Sequence, residues 1–236
     1  MVAQIRSSNL VMDAMYNNFL KAYRFTVGLF RLKNLHITTM KTIKVNTKSR
    51  TLLADIMTPV SVYLKIRDKF SNPILLESTD FNGDENSYSI ICFEPIASFK
   101  VDDNIISKHW PDNSVECCDV NNENDVADQF KSFIQSFTVT NTDVPMRISG
   151  FYGYSTYDSV QYFETIKLKK RTKEESKIPD FLYSFYKYII AVNHFKSELY
   201  ILENLLNGEQ SEIDLIETII RNMNVNTYNF DLVGSE

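Results

Sequence analysis

The run Ile74-Leu75-Leu76 stops abruptly on Glu77-Ser78, shortly after a segment opened by Thr58-Pro59. An apolar run bounded by turn signals reads as a buried strand. A buried strand ending on a carboxylate and a hydroxyl brings both to the rim of a core, where small ligands are held. A strand whose polar end merely reaches solvent has the same pattern, so the feature fixes the element before it fixes any role.

The surrounding segments predict how that strand is framed. Thr58 can cap a helix, Pro59 suits its first position, and Val62, Ile66 and Phe70 recur at four-residue spacing until Asn72-Pro73 ends it. Residues 80–86 form a polar turn containing Gly83. Residues 88–93 and 96–101 read as strands broken by Glu94-Pro95, with a further short strand before Trp110. A polar linker over 121–125 opens a second helix, in which Val126, Phe130, Phe133 and Phe137 share one face. Residues 146–154 read as a strand in which Gly150 and Gly153 let another backbone or a large aromatic approach. Residues 182–192 and 197–202 form a hairpin. After Asn207-Gly208, the residues Ile213, Ile216, Ile219, Ile220 and Met223 make the apolar stripe of a last helix. The fold expected is α+β, with largely antiparallel sheets and helices near 59–70, 125–137 and 211–223 packed on the outer faces.

Composition narrows the function classes. With 236 residues and 44% hydrophobic content the chain can bury a sizeable core. A net charge of −5 argues against general affinity for nucleic acid, which needs a basic surface to displace counterions. The basic residues Lys167, Lys169, Lys170, Arg171 and Lys173 are followed at once by Glu174 and Glu175, the pattern of a solvated loop. Three cysteines, Cys92 and the adjacent Cys117-Cys118, suggest neither a disulfide framework nor a metal site, and a cytoplasmic location fits. No apolar run approaches the roughly 18 residues of a membrane span. Residues 1–39 carry Arg6, Lys21, Arg24, Arg31 and Lys33 against the single acid Asp13. Such a segment suits either an amphipathic targeting sequence or a variable extension, and it is expected to add little to the core.

The familiar catalytic constellations are missing from the sequence. His36, His109 and His194 are not spaced as metal ligands, and neither a G-x-S-x-G elbow nor a G-x-x-x-x-G-K-[ST] loop occurs. Gly150-x-x-Gly153 has aromatic rather than basic neighbours, unlike a loop that clamps nucleic acid. Cys117 and Cys118 would face opposite ways on a strand. Asp158 and Glu164 are the pair of carboxylates open to acid–base work, although their aromatic surroundings equally suit loop-anchoring hydrogen bonds.

Thr58-Pro59-Val60, Leu75-Leu76-Glu77-Ser78, Gly150-Phe151-Tyr152-Gly153-Tyr154 with Tyr157-Asp158 and Tyr162-Phe163-Glu164, and Ile178-Pro179-Asp180 occur in one order. Together they resemble the N-terminal domain of anthranilate synthase component I, over residues 40–233. The resemblance implies a parent lyase reaction in which chorismate and glutamine, or ammonia, give anthranilate and pyruvate in tryptophan biosynthesis. It implies that chorismate, Mg2+ and the catalytic residues belong to a C-terminal chorismate-binding domain, which is expected to be absent here, and that glutamine is handled by an amidotransferase subunit. To the N-terminal domain it assigns part of a tryptophan feedback site, carried over by position to Pro59, Leu76, Glu77 and Ser78. The residue chemistry agrees. Ser78 can donate to a carboxylate, Glu77 favours a cationic amine, and Leu76 with Pro59 can cover an indole.

Two departures stand beside the resemblance. Ser184-Phe185-Tyr186-Lys187-Tyr188 replaces a shorter aliphatic and acidic pattern of the family, and residues 1–39 have no family counterpart. Two further readings remain open on the sequence: the corresponding domain of aminodeoxychorismate synthase, and a stand-alone amino-acid-binding or interaction module.

Overall fold

The computed structural model describes residues 2–5, 41–55, 57–78, 87–121, 125–140, 148–164, 166 and 178–222, with Val2–Ile5 and Ser78 described as backbone only. Among the described residues, ten strands form one mixed, mostly antiparallel sheet: β1 (Val2–Ile5), β2 (Ile43–Leu53), β3 (Ile74–Ser78), β4 (Tyr88–Asp102), β5 (Ile105–His109), β6 (Val115–Asp119), β7 (Phe137–Thr140), β8 (Phe151–Ser155), β9 (Phe181–Asn193) and β10 (Glu198–Leu205). The helices are α1 (Pro59–Arg67), α2 (Val126–Gln135) and α3 (Ile213–Arg221), with a 3-10 turn at Tyr157–Tyr162. The α+β expectation holds, and all three helices fall within the predicted segments.

The strand order is β1-β3-β4-β9-β10-β2-β7, while β5 and β6 extend from β4 and β8 pairs with β9. Among the described strands, only β1 with β3 and β2 with β7 run parallel. The long strands β4 and β9 are the spine. Their first halves in space pair Tyr88 through Phe93 with Asn193 through Tyr188, flanked by β3 and β10. Their second halves pair Ala97 through Val101 with Phe185 through Phe181, flanked by β5 and β8.

The sequence suggests two strands broken at Glu94-Pro95, and the structure corrects this to one strand carrying a bulge. The register shifts between Pro95 and Ala97, and Glu94 sits at φ 58°. A proline has no N–H for the ladder and is tolerated at a bulge. The Glu94 side chain accepts from Ser71 N at 2.8 Å while its own N–H donates to Ser71 O at 3.0 Å, tying the kink to the end of α1.

Strand alternation divides the first half of the sheet into two faces. The row Leu75, Ile91, Ile190 packs under α1 and α3, where Val62, Ile66, Ile213, Ile216 and Ile220 are buried. The row Ile74, Cys92, Ile189 faces the other way, into a cluster with Ile148, Tyr186 and Leu202. A third cluster, dense in aromatic rings, packs Phe133 and Phe130 of α2 on Phe99, Phe181, Phe151 and Trp110. Lys65 of α1 donates to Ile220 O at 2.7 Å, giving the last turn of α3 a cation on its open carbonyls and joining the two helices.

Several sequence expectations shift. The strands β1, β2, β6 and β7 and the 3-10 turn have no counterpart among them, and β7 begins at Phe137, whose spacing places it on the face of the preceding helix. The strand expected over 146–154 is realised as Phe151–Ser155. Of the two glycines there, only Gly153 meets a close backbone; a Cβ on Gly150 would find nothing within 4 Å. The loop at 80–86, the basic run near Lys167 and residues 6–40 lie outside the described residues. Among the described residues no helix is long and apolar enough to cross a membrane.

Candidate functional site

Three sequence-distant elements meet at one end of the sheet: the last residues of β3, the first turn of α1 and the turn between β9 and β10. The start of α1 is fixed by reciprocal capping, in which Thr58 Oγ1 accepts from Ser61 N at 3.1 Å and Ser61 Oγ accepts from Thr58 N at 3.1 Å. Pro59 follows at the first helical position, buried, its lack of an N–H costing nothing there. The β9–β10 turn is braced from within. Asn193, itself fully buried, accepts from Phe195 N and Lys196 N at 2.9 Å each. Ser197 O accepts from Ala54 N at 2.8 Å, which docks the end of β2 against the turn.

Between these elements lies a cleft of about 340 Å³ lined by Ala54, Asp55, Met57, Thr58, Pro59, Val192, Asn193, His194 and Ser197. Its volume is at the small end of the range for small-molecule clefts, roughly 300–1,000 Å³. The wall is mixed: Ala54, Met57, Pro59 and Val192 are apolar, and Asp55, Thr58, His194 and Ser197 bring polar groups.

Beside the cleft, Ser89 Oγ and His194 Nε2 lie 2.7 Å apart, and the His194 backbone N–H donates to Ser87 O at 3.1 Å. Ser89 is only 1% exposed while His194 is exposed, so a buried hydroxyl holds the imidazole of a surface turn. These residues are far apart in sequence; the Tyr88–Asn193 and Ser89–Val192 pairs of β4 and β9 bring them together.

The predicted residues are distributed unevenly around this cleft. Pro59 lines it. Alternation from Leu75 puts Glu77 on the helix-covered face, one position beyond the Leu76–Ile90 pair and therefore level with Ser89 and Val192. Leu76 belongs to the row of Ile90 and Ala191, on the opposite face from Pro59. Ser78 is the last residue of β3, and its side chain lies outside the described residues. The structure thus brings Pro59 and Glu77 to one face and end of the sheet and separates Leu76 from them.

The other candidates stand apart. Asp158 lies in the 3-10 turn and Glu164 is exposed beyond it; nearby, Asp180 accepts from Tyr162 Oη at 3.0 Å, an anchor of the loop-holding kind. Cys117 and Cys118 lie on β6, where burial pushes the Cys118 thiol pKa up. His109 is exposed on β5. No group of three or more His, Cys, Asp or Glu among the described residues is placed to hold a metal. A larger groove of about 630 Å³ runs between β2 and the start of α3, lined by Asn46, Thr47, Lys48, Ser49, Arg50, Ser211, Ile213 and Asp214. Arg50 is held there at 2.5 Å from both Asp214 and Glu217, and the polar wall offers an apolar ligand little to bury.

No protein-family model matches the chain. Anthranilate synthase component 1 of Lactococcus lactis subsp. lactis is 29% identical over 177 residues, covering 75% of this chain and 36% of that protein. The protein of the same description from Thermus thermophilus is 26% identical over 170 residues, covering 70% of this chain and 34% of its own. The chain therefore spans about a third of the length of these curated relatives. The solved structure of anthranilate synthase component I from Streptococcus pneumoniae TIGR4 is similar at 19% identity and a TM-score of 0.38, covering 71% of this chain and 34% of that one. The resemblance read from the ordered motifs is borne out by the sequence relatives.

Proposed function

We infer that this chain, a sequence relative of anthranilate synthase component 1, is the N-terminal regulatory and scaffolding domain of such an enzyme and carries one wall of a tryptophan feedback site. The observation that carries the reading is the cleft at the capped start of α1, where Pro59 stands at the same end of the sheet as Glu77. Its apolar wall suits an indole and its polar residues suit an amino acid's charged groups. Ser78 and Leu76 complete the proposed set by relationship, with Ser78 contacting the bound amino acid.

On this reading the chemistry belongs elsewhere. Chorismate and Mg2+ are held by a chorismate-binding domain, glutamine is handled by an amidotransferase subunit in the cytoplasm, and this chain transmits the effector's presence between them. An effector inhibits only if it binds one domain arrangement better than another, and a pocket with one wall on each domain supplies that difference.

Two measurements test the reading. The purified chain given chorismate, Mg2+ and ammonium should form no anthranilate by fluorescence. Calorimetric titration should detect L-tryptophan binding, weakened by about 10-fold to 100-fold in Ser78→Phe, the effect of displacing a ligand from a charge-assisted hydrogen bond. Anthranilate formation by the chain alone, or unchanged affinity in Ser78→Phe, would remove the assignment.

A further inference from the structure

We propose that His194, positioned by Ser89, holds the carboxylate of a free α-amino acid in the cleft beside Pro59, and that Asp55 of the same lining receives its ammonium group. The inference rests on the effector-site reading and adds residues that neither the ordered motifs nor the comparisons assign.

The lining residues supply each part of such a ligand. Met57, Pro59, Val192 and Ala54 offer an apolar surface for a side chain, and the volume near 340 Å³ fits one small molecule. His194 and Asp55 lie in the same lining with opposite hydrogen-bonding capacity: a carboxylate accepts, and an imidazole N–H donates. Ser89 determines what the imidazole can do. Its buried hydroxyl engages Nε2 at 2.7 Å, leaving Nδ1 as the nitrogen available to a further partner. A hydroxyl donating to Nε2 selects the tautomer with hydrogen on Nδ1, the form that donates to a carboxylate.

The backbone bond from His194 N to Ser87 O and the Asn193 brace fix the turn, so the ring is held before a ligand arrives. Pre-organisation of this kind lowers the ordering cost of binding. Ser89 is accordingly a positioning residue and His194 a binding residue.

The experiment is calorimetric titration of the full 236-residue chain with L-tryptophan, with indole-3-propionate, which lacks the ammonium, and with tryptamine, which lacks the carboxylate. His194→Ala should weaken L-tryptophan and indole-3-propionate by about tenfold or more, the effect of one charge-assisted hydrogen bond, and leave tryptamine within about twofold. Asp55→Asn should do the reverse, weakening L-tryptophan and tryptamine. His194→Gln, which keeps a donor, should recover part of the affinity, and Ser89→Ala should show a smaller loss of the His194→Ala kind. Wild-type affinity for L-tryptophan in His194→Ala overturns the proposal, as does equal loss of all three ligands, which marks a turn brace only. Loss in Glu77→Ala and Ser78→Phe with none in His194→Ala overturns this inference and keeps the effector reading. Loss in His194→Ala with none in those two supports it and removes the carried-over set. No binding of L-tryptophan to the wild-type chain overturns both.

Discussion

Glu203 is a carboxylate with 0% exposure in the middle of β10, and its partners explain how the fold tolerates it. Ser211 Oγ donates to it at 2.5 Å and Glu212 N at 2.8 Å, so the strand supplies the capping acceptor that the first residues of α3 lack, since Glu212 makes no side-chain cap. Glu203→Leu should therefore strand these donors in a buried site and lower stability on the order of 1–3 kcal/mol, read as a lower urea midpoint at unchanged slope. Glu203→Gln, which keeps one acceptor, should lose less; equal loss in both variants would show that shape rather than acceptance matters. The same residue scale marks the limit of what is legible in the site. Pro59 and Glu77 are visible because they sit in local signals, a helix start and the polar end of an apolar run. His194 and Ser89 are not, because their contact is created by the register of β4 with β9, and neither residue's own neighbourhood announces it.

At the scale of elements, Gly153 and Gly150 form a controlled comparison within one short segment. A Cβ on Gly153 would stand 1.9 Å from Leu182 O and 2.7 Å from Tyr183 Cα, in the backbone of the paired strand β9, whereas one on Gly150 meets nothing within 4 Å. Gly153→Ala should displace β8 from β9 and cost about 1–3 kcal/mol, and Gly150→Ala should fall within roughly 0.5 kcal/mol of wild type. Thermal unfolding of the two variants measures the difference, and similar midpoints would refute the close approach. The three helices are legible because their apolar positions repeat at helical spacing over at least two turns. The strands are legible where apolar residues run together, as in β3, β9 and β10. In β2, Val45 and Leu52 lie inside but Thr47 is also buried, paired at 2.6 Å with Asn204, so a polar residue occupies an inward position and hides the alternation. The four-residue β7 is too short to carry a period, and Phe137 extends the apolar face of α2 in sequence while starting a strand in space. The Glu94-Pro95 bulge resembles a break because the sequence records the missing N–H and not the continuing register beyond it.

At the scale of the whole molecule, the sheet buries ionisable hydroxyls and a thiol inside its apolar clusters. Burial raises the pKa of Tyr152, Tyr186 and Tyr188, first among the causes in each, and Tyr188 is raised further by its hydrogen bond to Glu212. Burial alone raises the Cys92 thiol well above its ordinary value. In every case the folded chain keeps the proton more tightly than the unfolded chain. The stability these groups contribute is therefore fully present below the unfolded pKa values, about 8.5 for a thiol and about 10 for a phenol. It is lost as pH rises through and beyond them, because the unfolded state then binds fewer protons than the native one. The tyrosines lie on β8 and β9 and in two of the three clusters, so no one of them can ionise in place without opening packing shared by β4 and β9. Alkaline unfolding should accordingly be a cooperative event above roughly pH 10, in which the gain of tyrosinate absorbance from the buried phenols and the loss of the far-ultraviolet circular dichroism signal proceed together. Tyr200, on the same sheet and raised only to about 12, should respond before Tyr152, Tyr186 and Tyr188. If instead the full tyrosinate signal develops near pH 10 while the dichroism stays native, the clusters admit water and charge at equilibrium. The sheet could not then serve as the rigid scaffold on which the proposed regulatory role depends.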